Sequence, residues 1–271
     1  MHRFTPGFVV TVVCVVCVAC SPPARPRQDE AARGSQPVTG GAARAVVPLD
    51  GAVPESSPSD APPVDAVASD APASALAIVD APMAWSAERE RLTLLYRREH
   101  SDPEATDLAI DPRVIVLHYT AGGSAAATRH YFDNVRVEAA RKEIARAGAV
   151  NVSAHFVVDR DGTIYRLQPE TRFARHCIGM NHIAIGIENA GDEAKFPLTE
   201  AQVAADAALV RDLAHRFRIT HLLGHHEVMK FREHPYYVER AAAYQNDKPD
   251  PGPRFMAAVR ARVADLGLQG L

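Results

Sequence analysis

The sequence predicts an α/β fold: a single domain with a central mixed β-sheet flanked by helices, preceded by a signal peptide and a disordered Pro/Ala-rich linker. Three observations carry this. Apolar runs of strand length alternate with amphipathic stretches of helix length along the C-terminal two thirds. Two short apolar runs flank the turn Asp159-Arg160-Asp161-Gly162, a hairpin signal that makes the sheet mixed. Composition also changes abruptly at Trp85, before which proline is dense.

At the N-terminus, His2 and Arg3 precede an apolar run from Phe8 to Ala19 that stops at Cys20-Ser21-Pro22-Pro23. A run of that length is too short for a stable helix across a bilayer of roughly 30 Å, which favours an export signal over residues 1–20. Cys17-Val18-Ala19-Cys20 resembles a bacterial lipobox, although Cys17 stands where that pattern usually has Leu. The expectation is lipidation of Cys20 and a membrane-anchored lipoprotein facing the periplasm. Ser21 after the cysteine points to the outer membrane.

Residues 21–84 hold eleven of the chain's twenty prolines and no aromatic residue. Such a stretch buries too little apolar surface to offset its ordering entropy, so it reads as a disordered tether. A weak ten-residue repeat, Ser59-Asp60-Ala61-Pro62, Ser69-Asp70-Ala71-Pro72 and Val79-Asp80-Ala81-Pro82, carries no face to stack. The third segment, 85–271, is long enough for one domain.

Within it, Arg113 to His118 is a near-continuous apolar run after Pro112, the mark of a buried strand. Ser124 to Ala147 reads as helix, in one piece or two. Ala154–Val158 and Thr163–Leu167 are the hairpin strands, and Ile183–Glu188 is another buried strand. Thr199 with Gln202 forms a capping box, and the helix it opens places Val203, Ala207, Val210, Ala214 and Phe217 on one face. Ile219–Gly224 is a short strand, and Phe255–Leu266 a last amphipathic helix.

Thirty basic against 33 acidic residues give a formal charge of -3, which offers no basic surface for nucleic acid. Of four cysteines, three lie in the first twenty residues, so no disulfide framework is expected. Cys177 reads as a small buried hydrophobe, with a reactive thiol or spare ligand as alternatives.

Eleven of the twelve histidines fall between residues 100 and 234. His118 and His225 each follow an apolar strand, and Asp250 lies in the proline-rich Lys248-Pro249-Asp250-Pro251-Gly252-Pro253. Strand ends and rigid loops are where open α/β sheets hold ligands. Two imidazoles and a carboxylate leave a fourth zinc coordination position open, the pattern of a catalytic site. Scattered polar residues at loop mouths would give the same spacing.

Five segments carry a resemblance. They are Val116–Thr120, Ser153–Ile164, Ile185–Glu188, Leu223–His225 and Lys248–Pro253, and in this order they resemble the type 2 N-acetylmuramoyl-L-alanine amidases, relatives of peptidoglycan recognition proteins and of a phage amidase-type lysozyme. The resemblance covers roughly residues 110–260. It implies one zinc ion held by His118, His225 and Asp250, with Glu188 as general base and Lys248 near the developing oxyanion. It also implies substrate contacts at His176, Tyr119 and His155, and peptidoglycan or its muropeptides as partner. These roles are chemically consistent: zinc brings water to a pKa near 7, a carboxylate takes its proton, and a cation steadies the tetrahedral oxyanion.

Two departures stand out. His226 follows His225 directly, so the ligand is one or the other; Gly224-His225 keeps the family register. The stretch Glu227–Asp247 is unusually long, and reads either as a packed surface excursion or as a wall of the substrate groove. Lys230 stands where a His-Glu-x-x-His motif would need its second His, against an ordinary zinc endopeptidase. Rival readings are a non-catalytic peptidoglycan-binding module, a zinc peptidase cutting within the stem peptide, and a structural cell-wall tether.

Overall fold

In the computed structural model the described residues are 76–241, 244–245 and 247–271. The expected signal, Cys20 and most of the expected tether lie outside them. Six strands, β1 (Ile78–Asp80), β2 (Val114–Tyr119), β3 (Phe156–Val158), β4 (Ile164–Arg166), β5 (Ala184–Asn189) and β6 (His221–Gly224), form one sheet in the order β1-β4-β3-β5-β2-β6, and only the β3–β4 pair is antiparallel. The mixed sheet expected from the hairpin is present.

The folded chain starts earlier than the composition change suggests. β1 (Ile78–Asp80) lies parallel to β4, and the pairing continues as Ala81 and Met83 donate to the carbonyls of Arg166 and Leu167. Residues 76–84 therefore leave the tether assignment. Three edge residues in a Pro/Ala-rich context gave no alternation to read.

α1 (Ala87–His100) follows, capped by Ser86, whose side chain accepts from the Arg89 N–H, with Glu88 and Glu90 in its first turn. Only Leu92 and Tyr96 supply large apolar buried groups. Arg89 is buried too, its guanidinium donating to the carbonyls of Phe132 and Asn134. A helix buried through an arginine lacks the apolar stripe that sequence patterning detects.

β2 (Val114–Tyr119) matches its expected run. The 124–147 stretch resolves into α2 (Ala125–Asp133) and α3 (Lys142–Arg146). β3 (Phe156–Val158) and β4 (Ile164–Arg166) flank the turn at Gly162, whose φ of 89° suits glycine. β5 (Ala184–Asn189) lies between β3 and β2. α4 (Glu200–Arg216) carries the full capping box of Thr199 and Gln202. β6 (His221–Gly224) leads into a 3-10 helix, His225–Phe231, and α5 (Pro253–Arg262) closes the domain before a final 3-10 turn, Ala264–Leu266.

Strand alternation sorts the core. Ile115, Leu117, Ile185 and Ile187 face α4 and α5, meeting Leu209, Val210, Leu213 and Val259. Each such side chain contributes about 1.5–3 kcal/mol on burial. Val114, Val116 and Ala184 face the other side, against Cys177, Met180, Val228 and Phe231. His118 and Glu188 sit two residues beyond Val116 and Gly186 on that second face, in register with each other at the C-terminal ends of β2 and β5.

Candidate metal centre and groove

Three donor atoms converge at the carboxyl ends of β2 and β6. His118 Nδ1 lies 2.9 Å from His225 Nδ1, and Asp250 Oδ2 lies 3.1 Å from His225 Nδ1 and 3.3 Å from His118 Nδ1. A tetrahedral ion with bonds of about 2.0–2.2 Å spaces its donors by roughly 3.3–3.6 Å. The group is thus nearly at the separations a small divalent ion requires, and its donor types suit zinc. Among the described residues these three form the metal-competent cluster.

The orientation of His118 is set by a relay behind it. His176 Nε2–H donates to the Ala184 carbonyl at 3.3 Å, which leaves His176 Nδ1 as acceptor for His118 Nε2–H at 3.0 Å. His118 Nδ1 then keeps its lone pair toward the cluster, as outer partners of metal-binding histidines generally ensure. Gly186 makes room: a Cβ there would stand 2.7 Å from the His176 ring. Asn189 Nδ2 supports the same strand from its far face through the His118 carbonyl at 3.3 Å.

His225 leaves β6 where the chain turns into the 3-10 helix, and its neighbour His226 points elsewhere. The backbone N–H of His226 donates to the Asp250 carbonyl at 2.8 Å, and its ring Nδ1 lies 3.2 Å from the same oxygen. It is His225, not His226, whose ring joins His118 and Asp250 in the donor group. Burial works against the charge on Asp250, but the adjoining His118 and His225 rings outweigh it and hold the carboxyl well below the usual carboxylate range. His118 shifts the other way, down to about 4, through burial first and the neighbouring His225 second.

These residues open on a cavity of about 330 Å³ also lined by Glu188, Lys248, Tyr119 and His176. Glu188 Oε2 is buried without a hydrogen-bond partner among the described residues. Burial, then the negative charge of Asp250, pushes the Glu188 pKa up to about 8, against the opposing charges of Lys248 and Arg141.

His155 corrects the sequence reading. It is fully buried, accepts from the Gly186 N–H at 2.9 Å through Nδ1, and donates to the Arg172 carbonyl at 2.8 Å through Nε2. With both ring nitrogens bound to backbone and no place in the cavity lining, it ties β5 to the 172 loop and has no ring nitrogen left for a substrate. Cys177 is buried at 2% exposure among apolar neighbours, and burial raises its thiol pKa well above normal.

The 227–247 stretch does both things proposed for it. Val228, Phe231, Tyr236 and Tyr237 pack on the second face of the sheet, while Tyr244 reaches the cavity. Other lining residues, Tyr96, Tyr131 and Arg141, escaped the sequence reading. Each sits in a segment rich in ordinary surface charge, with no spacing to mark it.

Comparison with known proteins places the chain in a family. A family model described as N-acetylmuramoyl-L-alanine amidase matches residues 108–253, more than half of the chain. The endolysin of Escherichia phage T7 is 33% identical over 100 residues, covering 35% of this chain and 66% of the endolysin. The endolysin of Enterobacteria phage T3 is 32% identical over a match of the same extent. The chain thus spans just under two thirds of either relative's length. The solved structure of the N-acetylmuramoyl-L-alanine amidase LysC from Clostridium intestinale URNW is 23% identical, with a TM-score of 0.45, over 71% of this chain and 99% of that one.

Proposed function

The chain belongs to the N-acetylmuramoyl-L-alanine amidase family, and from that premise we propose that it hydrolyses the amide between N-acetylmuramic acid and L-alanine in peptidoglycan or its fragments, with one zinc ion. The observation that carries the proposal is the convergence of His118 Nδ1, His225 Nδ1 and Asp250 Oδ2 on a cavity that Glu188 also lines. A module that only binds would have no use for three converging donors beside a buried carboxylate.

In this proposal His118, His225 and Asp250 hold the zinc. The ion, when bound, supplies Lewis acidity toward the amide carbonyl and brings water to a pKa near 7. Glu188 takes a proton from the attacking water and delivers it to the departing amine. A carboxylate takes the first proton only in its ionised form, which burial and the charge of Asp250 oppose and the charges of Lys248 and Arg141 favour. Lys248, on the cavity wall, steadies the negative charge that develops on the carbonyl oxygen. Tyr119 lines the approach to the cluster, and His176 positions His118 while closing the cavity floor.

Digestion of defined muropeptides by the purified chain, with products identified by mass, tests the bond assignment. The expected products are free N-acetylmuramic acid sugars and intact stem peptides, lost on chelation and restored by zinc. Cleavage within the stem would transfer the chain to the peptidases, and binding without products would make it a recognition module.

The location is also proposed: export, lipidation at Cys20, and residence on the periplasmic side of the outer membrane, read from residues 2–23. A tether of some fifty-five residues at about 3.1 Å each would let an anchored domain reach well over about 100 Å. Fractionation of a Cys20→Ala variant checks this. Retention in the membrane fraction equal to the parent's would end the lipoprotein reading.

A further inference from the structure

Asp250 comes to the donor cluster on a loop with little of its own to hold it. Residues 247–251 belong to no helix or strand, and Pro249 and Pro251 have no N–H to give. Among the described residues, the backbone of 247–251 is reached by hydrogen bonds from His226 alone, and both end on the Asp250 carbonyl. The His226 N–H donates at 2.8 Å, and the ring Nδ1 lies 3.2 Å from the same oxygen. A carbonyl only accepts, so Nδ1 carries the hydrogen of that contact, and the two bonds take up the oxygen's two lone pairs. Gly224 admits the ring, since a Cβ there would stand 2.7 Å from its Cε1 and 2.8 Å from its Nδ1.

The turn that carries His226 is braced in its own right. Glu227 Oε2 accepts from the Gly224 N–H at 2.8 Å, and the carboxylate holds the Arg260 guanidinium by two bonds, at 2.8 Å and 2.6 Å. Arg260 Nη2 also donates to the Leu222 carbonyl of β6 at 2.7 Å. Arg260 belongs to α5, which begins at Pro253, just after Asp250. The chain therefore runs from Asp250 into α5, and Arg260 and Glu227 lead back to the turn of His225 and His226. The bonds from His226 to Asp250 close this ring, so two of the three donor residues share one frame.

We infer that His226 is a positioning residue for the metal centre, whose ring N–H fixes the main chain of Asp250 so that its carboxylate stands at ligating distance from His225. The inference rests on the zinc reading above. His226 is neither a ligand nor part of the cavity lining. Any residue but proline at 226 supplies the backbone bond, so the ring bond is what histidine adds. A carboxylate on a loop free to shift must be ordered each time the ion binds, and an outer partner that orders it beforehand shows its effect as metal affinity.

The test compares the full parent chain with His226→Asn and His226→Leu, two substitutions of nearly the same shape. The asparagine Nδ2 occupies the place of Nδ1 and can donate to the Asp250 carbonyl, whereas leucine has nothing to donate. Zinc affinity is read on metal-stripped chains by competition with a chelator of known strength, beside the melting temperature of each chain without zinc. His226→Asn should bind zinc within a few-fold of the parent, and His226→Leu roughly ten- to a hundredfold more weakly. The zinc-free melting temperatures of all three should agree within a few degrees. Equal zinc affinities for the two variants overturn the inference: if both match the parent the backbone bond suffices, and if both are weak the ring acts by its bulk. A zinc-free His226→Leu chain that melts far below the parent overturns it too, since the ring would then hold the fold and not the ligand. A parent chain that takes up no zinc overturns the zinc reading itself, and the inference with it.

Discussion

Glu188 and His118 lie opposite each other in parallel register, and this pairing concentrates the chemistry in two adjacent strand ends. Because alternate residues of β2 and β5 feed the α4 face, the pair must emerge on the other face, beside the loop that brings Asp250. Glu188 stands outside the donor group, its Oε2 without a hydrogen-bond partner among the described residues, which distinguishes its proposed part from theirs. In a Glu188→Gln variant the shape is kept and proton acceptance is lost. The expected fall in kcat is about 10² to 10⁴ with zinc content unchanged. Metal analysis beside steady-state kinetics checks both halves. Loss of zinc would make Glu188 a ligand, and activity within a few-fold of the parent would put the base elsewhere.

At the scale of elements, the groove wall depends on a latch. His100, the last residue of α1, is 2% exposed; its Nδ1 lies 2.8 Å from Glu239 Oε1 and its Nε2 donates to the Ala147 carbonyl at 2.7 Å. The Arg240 N–H adds a bond to the His100 carbonyl at 2.9 Å. One histidine thus joins α1, the end of α3 and the long segment that carries Tyr244. Glu239→Ala would leave a buried ring nitrogen without its partner, a cost of about 1–3 kcal/mol. The expected result is a lower melting temperature with earlier proteolytic cleavage in 232–247. An unchanged melting curve and cleavage pattern would show that the segment is held by its aromatic packing alone. This wall is also where sequence patterning stops working. Tyr96, Arg141 and Tyr244 come from three segments and meet only in the folded chain, and His100 looks like any basic residue in a helix's last turn. The strand ends were readable because a histidine after an unbroken apolar run has one plausible location. The capping box of α4 was readable for a similar reason, since it is a local hydrogen-bond pattern.

For the molecule as a whole, much of the fold was written in strand and helix periodicity; the exceptions share a cause. β1 is three residues long and α1 buries an arginine, so neither has the apolar repeat that separates an element from a loop. The type of His155 suggests chemistry, while its surroundings give both ring nitrogens backbone partners. Asp206 is the reverse case, a core polar group that no pattern flagged and on which global stability depends. It is fully buried on α4, within the apolar layer, and receives one hydrogen bond, from Asn189 Nδ2 at 2.9 Å. Asp206 Oδ1 and Asn189 Oδ1 are both buried without partners. A protonated Asp206 supplies the missing donor, and burial accordingly raises its pKa to about 7, against the Asn189 hydrogen bond. In the unfolded chain the same group ionises near 3.9. Between about pH 4 and 7 the folded state therefore binds the extra proton, and stability falls as pH rises, by at most about 1.4 kcal/mol per pH unit, levelling off above pH 7. Asp206→Asn removes the titration and keeps an amide that can both donate and accept at this position. Urea unfolding of parent and variant at pH 5 and pH 7 isolates the contribution, because every other titrating group is common to both. The variant should gain on the parent by on the order of 2 kcal/mol between those two conditions. Stability differences that stay the same at both pH values would mean that Asp206 is ionised in the fold, and that its charge is met by a group other than Asn189.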